Sequence, residues 1–114
     1  MRRIYSIHGW LFVLHRVTGI ALLVYLIAHI LTISTAMIAG PRAFSSVMAT
    51  LARPGFAAVE VAIVGCVAFH GLNGIRIIAV ERGWLRGGGT AFAGATIATT
   101  LAVWLAAAAL VVAR

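Results

Sequence analysis

Three long apolar runs constrain this chain more than any other feature of its sequence. They cover residues 17–38, 56–80 and 90–113, and each holds the roughly 20 residues that a helix needs to cross a hydrocarbon core of about 30 Å. The runs are apolar on every side, whereas the strands of a membrane barrel alternate polar and apolar residues. We therefore predict an all-α membrane protein in which one domain, residues 1–114, crosses the bilayer with three transmembrane helices.

Composition and charge exclude two other classes of protein. A chain with 63% hydrophobic and 10% charged residues has too little polar surface for a soluble enzyme. The formal net charge is +7, but the nine cations are arginines spread between the apolar runs, without a basic stripe. No nucleic-acid partner is predicted.

The positions of the arginines predict the orientation. Six of the nine lie in the amino-terminal segment or around the loop after the second run: Arg2, Arg3, Arg16, Arg76, Arg82 and Arg86. The positive-inside rule then places the amino terminus in the cytoplasm of a multi-pass protein of the cell inner (plasma) membrane. Between the first two spans, residues 43–52 carry apolar side chains at helical spacing. This pattern fits either a short amphipathic helix on the membrane surface or an ordered loop.

Histidines are the best candidates for chemistry, because an ionisable residue inside a span is costly and is expected to face protein, water or a cofactor. One face of the first helix carries His15, Thr18, Leu22, Tyr25 and His29, and a stripe of the second carries His70 with Gly74 one turn away. A neutral imidazole in an apolar bundle is the usual axial ligand of a haem iron. A histidine that hydrogen-bonds across helices, beside a glycine that only permits close packing, is the open alternative.

The depths of the histidines can be estimated from the sequence. If Arg16 and Arg76 mark the same membrane boundary, His29 lies about 20 Å and His70 about 9 Å from it. The two imidazoles would then not ligate one haem from both sides. Since no other histidine is expected at the depth of His70, a second subunit would supply the opposite ligand. Glu60, near the end of the second span, is predicted to be a solvated interfacial carboxylate.

Two motifs resemble those of a known family. Residues 14–19, LHRVTG, resemble the HRxTG motif of the cytochrome b membrane anchor of succinate dehydrogenase. Residues 69–76, FHGLNGIR, resemble the family's second motif, whose histidine is an axial ligand of haem b. Both motifs occur in the family's order, and the three spans match its length.

The resemblance implies roles for individual residues. His70 would bind the haem b iron, and Arg16 and His15 would lie near the haem propionates and the quinone head. Phe12 and Ile77 depart from the family, which often has serine and histidine at these places, and Glu81 stands where the family often has aspartate.

His29 is the residue that leaves the number of haems open. One haem is expected, with His29 supporting a ligand or facing the quinone. The alternative is two haems, the second held by His29, since diheme anchors of the wider family use a histidine on the first helix as well.

The resemblance also implies a function and partners. The chain would be a non-catalytic electron-transfer and anchor subunit, in a heteromeric helix bundle with a second membrane-anchor subunit. An iron–sulfur subunit and a flavoprotein subunit would oxidise succinate, and a quinone and membrane lipid would contact the bundle. Two alternatives are a small proton-coupled multidrug-type transporter that uses Glu60 and a structural anchor without a cofactor.

Overall fold

The computed structural model of the chain describes residues 6–85 and 90–114. Four helices account for nearly all of them: α1 (Ile7–Ile38), α2 (Gly40–Leu51), α3 (Pro54–Glu81) and α4 (Thr90–Val112). Helices α1, α3 and α4 are long and apolar enough to cross a membrane. The predicted all-α fold with three spans is confirmed.

Helix α1 begins well before the first predicted span. The hydroxyl of Ser6 accepts a hydrogen bond from the amide of Gly9 at 3.2 Å and caps the helix. With 32 residues, α1 is about 48 Å long, which exceeds the thickness of the hydrocarbon core. His15 and Arg16 therefore lie inside a continuous helix rather than at its start.

Helix α2 resolves the two interpretations of the segment after the first span in favour of a helix. The chain reverses at Gly40, whose φ of +83° is a left-handed conformation that favours glycine. Pro41 then stands in the first turn of α2, where its missing N–H costs nothing. Phe44 and Val47 are half-buried, and α2 packs against α1. The position of α2 on the membrane surface stays a prediction.

Helix α3 lies at the centre of the packing and contacts both α1 and α4, whereas α1 and α4 barely touch. Gly65 of α3 lets the Trp104 ring of α4 approach closely, and the Trp104 indole donates a hydrogen bond to the Val61 carbonyl at 2.9 Å. The buried apolar core is small and consists of Leu11, Phe69 and Ala93. Most other large apolar side chains are exposed on the chain, as expected for surfaces that face lipid or another subunit.

Contacts between helix ends define two ends of the bundle. At one end, His8 of α1 contacts both Arg76 of α3 and Thr90 of α4; we call this the His8 end. At the other, Glu60 of α3 pairs with Arg114 beyond α4; we call this the Glu60 end. The start of α1 and the loop after α3 therefore share one side, as predicted, although Arg2, Arg3 and Arg86 lie outside the described residues. Which side is cytoplasmic stays a prediction.

Candidate functional site

The structure brings His15 and His70 together, one from each sequence motif. Their rings are stacked, with centroids 4.0 Å apart and planes 8° from parallel. Because α1 and α3 are antiparallel, the two motifs meet at one level of the bundle. The expectation that no other histidine lies at the depth of His70 is therefore wrong.

The hydrogen bonds of His70 fix which of its ring nitrogens carries the hydrogen. Nδ1 lies 3.1 Å from the carbonyl oxygen of His15 and 3.2 Å from the hydroxyl of Thr18. A carbonyl only accepts, so Nδ1 is the donor, and Thr18 directs its own hydrogen to the Leu14 carbonyl at 2.8 Å. In the neutral ring, Nε2 then keeps its lone pair. Among the residues that the structure describes, none hydrogen-bonds this nitrogen.

Two motif glycines lie next to the stacked rings. A Cβ on Gly19 would lie 3.0 Å from Cε1 of His70, and one on Gly74 would lie 3.5 Å from Cε1 of His15. The contact at Gly74 is an ordinary van der Waals distance, and the group that contacts it in this chain is an imidazole. Gly19 was not predicted as a site residue, although it is the last residue of the HRVTG motif.

A buried polar network lies next to the stack, toward the His8 end. Asn73 is 0% exposed and Arg76 is 7% exposed. The Arg76 Nε donates to Oδ1 of Asn73 at 2.9 Å, the Asn73 amide donates to the Leu11 carbonyl at 3.4 Å, and the Arg76 guanidinium lies 3.4 Å from Nδ1 of His8. In the described part of the chain, no carboxylate pairs with Arg76. The network ties α1 to α3 beside the histidines.

Asn73 and Arg76 were likewise not predicted as site residues. The signal was present, because both belong to the Asn-Gly-Ile-Arg part of the second motif.

Arg16 and the ring of His15 are incompletely partnered. Arg16 is exposed, and its guanidinium carbon lies 5.7 Å above the Phe12 ring, in cation–π range. It makes no hydrogen bond to His15 or His70. Nδ1 of His15 is buried, and no described residue hydrogen-bonds it. An orphaned buried nitrogen is rare in native proteins and points to a missing partner.

His29 does not join the histidine stack. Its Nδ1 lies 3.4 Å from the hydroxyl of Tyr25, and its side chain is exposed. Since His15 is level with His70, His29 lies about 21 Å farther along α1, not the roughly 11 Å implied by the sequence estimate. That estimate took Arg16 and Arg76 as level, whereas Arg76 is level with His8.

Glu60 forms an ion pair with Arg114, in which the two side chains are 48% and 61% exposed. Both carboxylate oxygens are engaged, at 3.2 and 2.6 Å. Glu60 is thus partly exposed and near the end of the span; its contact with water at the membrane interface stays a prediction. An ion pair at this place does not favour the transporter alternative, which needs a carboxylate that exchanges protons.

Comparisons with known proteins agree with the two motifs. The profile of the family described as succinate dehydrogenase/fumarate reductase transmembrane subunit matches residues 2–113. The chain is 33% identical over 72 residues to "Succinate dehydrogenase 2 membrane subunit SdhC" of Mycobacterium tuberculosis, covering 63% of this chain and 52% of that protein. It is 34% identical over 80 residues to "Succinate dehydrogenase hydrophobic membrane anchor subunit" of Halobacterium salinarum, covering 69% of this chain and 61% of that protein.

The match therefore spans between half and two thirds of the length of these relatives. The profile match covers nearly the whole of this chain, and it includes both motifs that form the histidine stack. The chain belongs to the family of succinate dehydrogenase/fumarate reductase transmembrane subunits.

Proposed function

We propose that this chain is the cytochrome b membrane-anchor subunit of a succinate dehydrogenase, in which it binds haem b through His70 and helps to form the quinone site. The observation that supports this proposal best is the Nδ1 contact of His70 with the His15 carbonyl at 3.1 Å. Metal-binding histidines almost always donate their other ring N–H to a carbonyl or carboxylate, which fixes the ring and raises its basicity. Nε2 of His70 is thereby prepared to bind iron.

In this proposal His70 would hold the haem together with a residue of a second membrane-anchor subunit. The His15 ring stacks on the His70 ring, with 4.0 Å between the centroids, so His15 would support His70 rather than bind the iron itself. When bound, haem b supplies a one-electron carrier within the membrane.

In this proposal Arg16 and His15 hydrogen-bond the haem propionates and the quinone head. Arg16 is a permanent, exposed cation whose planar guanidinium can donate two hydrogen bonds to a carboxylate or to a quinone oxygen. The unpartnered Nδ1 of His15 can hydrogen-bond a propionate or the quinone head, and this contact would satisfy it. Phe12 holds the place where the family often has serine and packs under Arg16 instead.

The oxidation of succinate belongs to an iron–sulfur subunit and a flavoprotein subunit in this proposal. The chain has one cysteine, Cys66, which is too few to hold an iron–sulfur cluster. We place the anchor, as one domain, in the cell inner membrane with its amino terminus in the cytoplasm. One haem per complex is the expected number, and a second haem at His29 is the alternative.

The haem proposal is tested by the reduced-minus-oxidised absorption spectrum of the purified complex with His70→Ala. We expect the b-type absorption to disappear while the complex stays in the membrane, because the variant removes the iron ligand. Membrane content measured by immunoblot checks insertion. A b-type spectrum identical to that of the wild type would overturn the assignment of His70.

The quinone proposal is tested with Arg16→Leu, which replaces the exposed cation by an apolar side chain. Quinone reduction should fall roughly tenfold or more, as expected when a hydrogen bond to a charged group worth about 1.5–3 kcal/mol is removed. Succinate oxidation with a water-soluble artificial acceptor should change little. Equal loss of both activities would indicate a role of Arg16 in assembly rather than in quinone binding.

A further inference from the structure

A second feature of the chain lies at the Glu60 end, away from the histidine stack. Helices α1, α2 and α3 enclose an open trough of about 730 Å³. Apolar side chains of α2 and α3 form much of its lining, among them Met48, Leu51, Phe56, Val59 and Ile63. Several of these are substantially exposed, with Val59 at 55%. In a bilayer, lipid acyl chains can fill an apolar trough of this kind.

The trough is also lined by one ion pair. Glu60 and Arg114 both line the trough and pair with each other, and each keeps about half of its side chain exposed. Arg114 follows the last residue of α4 closely, so the pair lies at the membrane boundary rather than at the bilayer centre. Covering this pair with a helix of another protein would strip water from both charges, at a cost that an exposed ion pair does not return. A lipid headgroup would leave the charges hydrated.

The local charge balance favours an anion. Arg53 precedes α3, next to the trough residues Ala52 and Phe56, and it is exposed with no ion-pair partner in the described part of the chain. Glu60 is the one carboxylate side chain among the described residues of this end, which also carries the three cations Arg42, Arg53 and Arg114. A guanidinium attracts a phosphate group, and each arginine near a membrane surface contributes about 1 kcal/mol toward an anionic lipid.

We propose that the trough binds an anionic glycerophospholipid, with one acyl chain along the apolar wall of α3 and the headgroup phosphate at Arg114. Glu60 accepts hydrogen bonds from two N–H groups of the Arg114 guanidinium, and the remaining N–H groups of Arg114 are available to the phosphate. The carboxylate also opposes the anion, so the arginine and the glutamate act on lipid binding with opposite signs.

The experiment counts bound phospholipids. The full complex is placed in nanodiscs of phosphatidylcholine with a minority of phosphatidylglycerol, and the lipids that it retains are counted by native mass spectrometry. Arg114→Gln should lower phosphatidylglycerol retention about fivefold, the equivalent of one arginine near the surface. Arg42→Gln removes the same charge at the same end, at the start of α2 and outside the trough lining, and should leave retention unchanged.

The effect of Glu60→Gln on phosphatidylglycerol retention distinguishes a lipid-binding site from an ion pair that only holds α3 and α4 together. In our proposal this variant retains as much phosphatidylglycerol as the wild type or more, because a repelling charge is removed. Equal losses in Arg114→Gln and Glu60→Gln would overturn the proposal, since the ion pair would then only hold α3 and α4 together. Equal retention of the two phospholipids, or no retained lipid in the trough, would overturn it as well. Val59→Phe, which fills part of the trough from an exposed position, should lower phosphatidylglycerol retention although it changes no charge.

Discussion

At the His8 end of the bundle, polar side chains are buried between helices, whereas at the Glu60 end they remain exposed. Asn73 and Arg76 are almost completely buried and hydrogen-bond one another and α1. Glu60 and Arg114 form a bidentate ion pair that keeps about half of each side chain exposed. Both ends thus contain an arginine, but only Arg76 at the His8 end is buried between helices.

The histidines of α1 show the same difference. His15 and His29 share a face of the helix, yet His15 stacks on His70 while His29 meets only Tyr25 of its own helix. A buried polar group costs free energy unless it is hydrogen-bonded, so the hydrogen-bonded network of Asn73 and Arg76 at the His8 end is a specific and demanding arrangement. The exposed pair at the Glu60 end contributes only about 0–1 kcal/mol. Substitutions at the His8 end should therefore lower the stability of the protein more than substitutions at the Glu60 end.

Replacing Asn73 should have the largest effect on stability. Asn73→Leu leaves the buried Nε of Arg76 without an acceptor, which costs about 1–3 kcal/mol or more because the donor is charged. We expect the haem absorption of the purified complex to be lost at a lower temperature during heating, as measured by the temperature of half-loss.

The matched variant is Asn73→Asp, which keeps an acceptor for Arg76 but cannot donate to the Leu11 carbonyl. It should be less harmful than Asn73→Leu. If both variants lost haem at the wild-type temperature, the buried network would not contribute measurably to stability, and the two ends would not differ in this respect.

Gly19→Ala tests the fit around His70 and should have the next largest effect. The added methyl would lie 3.0 Å from Cε1 of His70, and overpacking of this kind costs about 1–3 kcal/mol. The ring or the helix must shift, so we expect lower haem occupancy or a shifted b-type band. Gly94→Ala is the control, because a Cβ there meets nothing within 4 Å. Unchanged spectra in both variants would mean that Gly19 does not shape the site.

The spans could be predicted from the sequence because the length of an apolar run is a local property. The start of α1 could not, since the polar residues His15 and Arg16 resembled a membrane boundary while the helix continues back to its cap at Ser6. The distance between site residues also escaped prediction. It depends on the register of α1 against α3, which is a property of the packing between the two helices and not of either helix alone.

The motifs drew attention to residues that the structure brings together, whereas the distances between these residues were not predictable; the haem-binding role of His70 stays a prediction. His70 and Gly74 were identified from residue type and spacing, and the structure gives each a specific contact. The hydrogen bond from Nδ1 of His70 to the His15 carbonyl was outside the reach of the sequence, because a backbone acceptor leaves no signal in residue identity. Asn73 and Arg76 were visible in the sequence, but only as members of a motif.

The smallest effect is expected at His29, and it decides how far the contrast between the ends extends. His29→Leu removes the 3.4 Å approach to the Tyr25 hydroxyl, which lies on an exposed surface. With one haem at His70, about 21 Å away along the helix axis, haem content per complex should stay at one in both wild type and variant, as measured by pyridine haemochrome assay against protein. Two haems in the wild type and one in His29→Leu would instead show that another chain of the complex helps His29 to form a second site. Both ends would then bind a cofactor, and the difference between them would lie only in which chain encloses it.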